Sequence, residues 1–69
     1  MKATDKQEGG SHYKNYPIEP VEFIYRNRIP FIEANVLKYL LRHESKGGKD
    51  DLLKAKHYID LLIQFKYEN

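Results

Sequence analysis

Apolar residues recur along this chain at spacings of three and four, and nowhere do they alternate with polar ones as a strand requires, so the pattern predicts helices alone. Residues 1–8 are polar and read as a flexible lead. Gly9 and Gly10 then serve as hinges for an ordered loop through Tyr16, too rich in turn-forming residues for a helix but carrying His12 and two tyrosines as anchors. Pro20 suits the first position of a helix, where its fixed φ fits and its missing N–H costs nothing, and that helix is expected over residues 20–27. Pro30 repeats the device and opens a second helix reaching His43 or Glu44, with Ala34, Leu37, Leu40 and Leu41 as its apolar stripe. Gly47 is placed to end it in the left-handed C′ conformation. Asp50 then caps a third helix from Asp51 to about Lys66.

The expected architecture is therefore all-α: one small three-helix domain over residues 9–69, with helices near 20–27, 30–44 and 50–66, preceded by a Gly/His/Tyr loop. On the third helix the apolar set from Leu52 to Phe65 spans about 200° of arc, wider than one core stripe. A chain of 69 residues without cysteine has neither disulfides nor a large core to hold it. Packing as a homo-oligomer would cover the extra arc and supply the missing burial. Apolar runs are too short for a membrane span, so no membrane partner is expected.

Charge sharpens this picture locally. The formal net charge is only +2, yet residues 38–57 hold six Lys or Arg against Glu44, Asp50 and Asp51, a local +3. On the second helix Asn35, Lys38, Tyr39 and Arg42, followed by Lys46, fall within about 100° of one another on the side away from Leu37 and Leu40. An Arg fork and Lys point charges suit phosphate oxygens. Lys54, at the edge of the third helix beside Tyr58, is positioned to point back toward that stripe. The plain alternative for such a stripe is a solvated basic face. His12, His43 and His57 lack ligand spacing, so no metal and no cofactor are expected. Gly47-Gly48-Lys49-Asp50 is not a P-loop, lacking the leading glycine and the Ser or Thr after Lys. A helix-turn-helix reading fails on Asp50, Asp51, Leu52 and Leu53, which would meet DNA phosphates with acid and aliphatic groups.

The blocks Gly9-Gly10-Ser11-His12-Tyr13, Pro17-Ile18-Glu19-Pro20-Val21-Glu22-Phe23-Ile24, Asn35-Val36-Leu37-Lys38-Tyr39 with Arg42-His43, and Asp51-Leu52-Leu53-Lys54-Ala55 together resemble a family of short bacteriophage proteins, often labelled phage nucleotide kinases. The likeness runs from about Gly9 to Ile63. It implies a phage origin, the cytoplasm of an infected bacterium and an association with nucleotides. His12, Tyr13, Asn35, Lys38, Arg42, Lys46 and Lys54 match the family pattern and suit phosphates, with Tyr13 or Tyr39 to stack on a base. The leading expectation is a binder that holds a nucleotide, such as a cyclic oligonucleotide immune signal, without chemistry, in a basic pocket at or near a subunit interface. Two alternatives are a nucleoside monophosphate kinase with sites shared between subunits and a host-takeover module that binds an acidic protein.

Overall fold

The computed structural model describes residues 16–68, which fold as three helices joined by turns, with no strand among them. The first, α1, is Pro20–Arg26; α2 is Phe31–Arg42; α3 is Lys49–Tyr67. The expected loop with Gly9, Gly10, His12 and Tyr13 lies outside the described residues.

Each boundary has a local cause. Pro20 occupies the start of α1, where Glu19 in extended conformation accepts the first amide bonds from Glu22 and Phe23. At the other end Arg28 takes φ 52°, its N–H donates to the Tyr25 carbonyl, and the Ile29 N–H donates to the Ile24 carbonyl. That pair of bonds is a Schellman motif, and it turns the chain toward α2 with a left-handed residue that is not glycine. Pro30 caps α2 from the extended region, and the Ala34 N–H closes the first turn on its carbonyl.

The turn between α2 and α3 departs from expectation. His43 remains right-handed, and the left-handed position is Gly48, at φ 54° and ψ −133°, not Gly47. Gly48 is the residue before α3, which starts at Lys49 and not at Asp51, so Asp50 sits within the first turn instead of capping it. The reason is steric as well as conformational. A Cβ on Gly47 would fall on the Asp51 carboxylate, so the chain needs the bare backbone there and the left-handed bend one residue later.

The helices lie side by side, α2 packing against both α1 and α3, and the molecule measures 45 × 27 × 16 Å. With a helix about 10–12 Å across, the shortest dimension is less than two helix diameters. So thin a molecule has little interior: among the described residues only Pro20, Asp51 and Ala55 are buried. Leu40, expected among the core residues of α2, is 48% exposed. The face of α2 that meets α3 is instead the one bearing Tyr39 and Arg42, because these two side chains find partners on α3 that Leu40 does not.

Candidate phosphate-binding site

The most enclosed side chain among the described residues is an acid, Asp51, 1% exposed. Burial of a carboxylate is tolerable only where its lone pairs are met, and here they are. Arg42 donates through Nε and Nη2 to the two Asp51 oxygens at 3.1 Å each, and the Gly47 N–H adds a third bond at 2.9 Å. Asp51 is the third residue of α3 and reaches back past the Gly48 N-cap to accept from the Gly47 N–H, one residue beyond the contact that a capping box makes. The hydrogen bonds from Arg42 hold its carboxyl below the ordinary range; burial opposes this, while the Gly47 amide and the charges of Arg42 and Lys54 assist it.

This latch sets the antiparallel register of α2 and α3, and one turn back along α2 and two turns on along α3 it places Tyr39 against Tyr58, ring centroids 6.0 Å apart and 15° from parallel. Three cations surround the Tyr39 ring: Arg42 Cζ at 4.7 Å, Lys38 Nζ at 5.1 Å and Lys54 Nζ at 5.4 Å from its centroid. Such contacts are worth about 0.5–1 kcal/mol each at exposed sites. Lys54, from another helix, thus joins the α2 stripe. No described carboxylate lies within ion-pair distance of Lys38 or Lys54, whereas Arg42 is engaged with Asp51 and only 13% exposed.

Beside Lys38 a groove of about 220 Å³ opens between α1 and α2, lined by Pro20, Val21, Ile24, Ala34, Asn35 and Lys38. Lys38 therefore belongs both to the cation cluster and to an apolar cleft. Asn35 commits an amide hydrogen to the Phe31 carbonyl at 2.9 Å and lines the groove.

The structure thus draws Lys38, Tyr39, Arg42 and Lys54 together and sets Asn35 next to them. Lys46 is exposed in the 43–48 turn, its amide bonded to the Arg42 carbonyl, and takes no part in the ring contacts. Tyr39, expected to stack on a base, stacks on Tyr58. Sequence reasoning missed Asp51 as the partner of Arg42 and Tyr58 as the partner of Tyr39. The signal for both was the antiparallel hairpin itself, since a short Gly-Gly turn brings the last turn of α2 to the first of α3, where Asp51 lies, and earlier residues of α2 to later ones of α3 such as Tyr58.

The model of a family described as a protein of unknown function, DUF3310, matches residues 7–60. No curated protein and no solved structure matches the chain.

Proposed function

The chain belongs to the DUF3310 family, and from that premise and the geometry around Tyr39 we propose that it binds a nucleotide, with the phosphates on Lys38 and Lys54 and the base in the cleft beside Asn35. The observation that carries this reading is the pair of ammonium groups contributed by two helices to one ring, 5.1 and 5.4 Å from its centroid, without a described carboxylate to neutralise them. Ammonium groups meet phosphate as compact charges. Arg42 supports the site indirectly: its charge is met by Asp51, and the bidentate pair fixes the register that brings Lys54 to Lys38. The adjoining groove supplies what a bare phosphate site lacks, an apolar cleft with a polar rim.

Holding a nucleotide without altering it is the simplest activity for this set of residues, and the phage setting implied by the resemblance makes a host nucleotide signal a fitting ligand. Calorimetric titration with mono-, di- and cyclic nucleotides tests the proposal. Binding is expected to weaken at least tenfold in Lys38→Ala and again in Lys54→Ala, with affinity falling as salt rises. The ligand is expected to be recovered chemically unchanged; phosphate transfer from a triphosphate would replace sequestration by kinase chemistry. Absence of heat with every nucleotide at about 1 mM, where binding is worth only about 4 kcal/mol, would refute the reading.

A further inference from the structure

The α2–α3 pair is two-faced. Taking about 100° per residue, Lys38 lies one step round α2 from Tyr39 in one direction and Leu40 one step in the other. On α3, Lys54 and Ile59 flank the buried line of Asp51 and Ala55 in the same way. Because the helices run antiparallel, Lys38 and Lys54 fall on one broad face, as their shared contact with Tyr39 shows, and Leu40 and Ile59 fall on the other. Leu52 and Ile63 line up with Ile59 at spacings of seven and four, giving an apolar stripe on which Leu40, Leu52, Ile59 and Ile63 are 40–48% exposed.

We infer that this apolar face is the contact surface for a second copy of the chain, packed back to back along α3 so that the two basic faces point outward. Three observations select this occupant. First, a domain is ordinarily built from layers packed around a core, whereas this molecule is 16 Å in its shortest dimension and, among the described residues, Pro20 and Ala55 are the only buried apolar ones. A fuller core calls for apolar surface beyond these three helices, and the sequence of residues 1–15 supplies only Met1, Ala3 and Tyr13 as hydrophobic side chains. Second, the exposed residues on this face are contiguous: Leu40 from α2 and Leu52, Ile59 and Ile63 from α3 are each 40–48% exposed, a continuous apolar strip of the kind that forms the centre of a helix–helix interface. Third, the stripe is self-complementary. Its midpoint falls near residue 58, with Lys56 and Asp60 bordering it one turn apart on the same side. An antiparallel two-fold pairing that lays the stripe on itself brings Lys56 close to the partner subunit's Asp60, and the reciprocal pair forms by symmetry.

This arrangement is independent of what the basic face binds, and it removes that site from the subunit interface. Light scattering on the full chain is expected to give twice the 8.2 kDa chain mass. Leu40→Glu combined with Ile59→Glu is expected to give the single-chain mass while binding of inorganic pyrophosphate persists. Lys56→Asp is expected to weaken the pair and Asp60→Lys, added to it, to restore it. Should the double Glu variant lose its helical circular dichroism, the wild-type melting temperature carries the test, since for chains that fold as a pair it rises with protein concentration. A wild-type chain of single mass, a melting temperature independent of concentration, or a pair broken by Lys38→Glu instead of by Ile59→Glu would each overturn the inference. A monomer that binds lipid vesicles through Ile59 would overturn it too.

Discussion

Asp51 concentrates more of the molecule's constraint than any other residue. Its carboxylate is held by Arg42 and the Gly47 amide, and its pKa is depressed, so the sign of its pH effect is fixed. A group whose folded pKa lies below its unfolded value stabilises the fold above the unfolded value, and that contribution is lost as pH falls through the folded one. Acid unfolding is therefore expected to steepen below the ordinary carboxyl value of 3.8, and Asp51→Asn is expected to flatten that limb while lowering the melting temperature at neutral pH. Thermal melts from pH 2 to 7 on both proteins check this; parallel curves would refute it. The neighbouring glycines fail differently when replaced. Gly47→Ala drives a methyl into the carboxylate and is expected to break the latch. Gly48→Ala meets no atom within 4 Å but must hold φ 54° with ψ −133°, a strain of about 1–3 kcal/mol, so it is expected to destabilise without altering the acid limb.

At the scale of elements, α1 ends on Arg28 in the left-handed region, where a side chain costs about 1 kcal/mol relative to glycine. Arg28→Gly is accordingly expected to raise stability by up to about 1 kcal/mol in urea melts; a loss would show that the arginine side chain itself contributes to the fold. The helices themselves were legible in the sequence. Pro20 and Pro30 mark the entries to α1 and α2, and the three- and four-residue spacings mark their interiors. The packing face of α2 was not. Leu37 and Leu41 face α1 and its leading segment, lining an apolar cleft with Ile18, Phe23 and Ile24, whereas toward α3 the helix presents Tyr39 and Arg42, because a ring and a buried ion pair can seal a helix interface as aliphatic groups do. Hydrophobic periodicity has no means of registering such a contact, since it counts Arg42 as polar wherever its partner lies. The candidate site was half legible for the same reason. Lys38 and Lys54 could be read as a converging pair from charge and helical phase, while Arg42 looked like their equal and is instead the tie beneath them.

At the scale of the whole molecule, three short helices in a body 16 Å in its shortest dimension account for the thin core. The ion pair that closes the α2–α3 hairpin joins residues nine apart, so this half of the fold rests on local contacts and is expected to form early. Helix α1 differs. Seven residues are too few for a helix to persist alone, and α1 leans on α2 with its leading segment tied across by the hydroxyl of Tyr16, which donates to the Leu41 carbonyl at 3.0 Å. That bond acts as a clasp. The wall of the groove beside Lys38 is built from α1, so each time the clasp opens and α1 lifts, the cleft ceases to exist although the cation cluster remains. Amide hydrogens of Ile24 and Tyr25 should accordingly exchange with solvent well before those of Leu41 and Ala55, and Tyr16→Phe should speed their exchange further. A nucleotide would bind more weakly to that variant with no loss of contact at the phosphates, its affinity scaled by the fraction of time that the groove is closed.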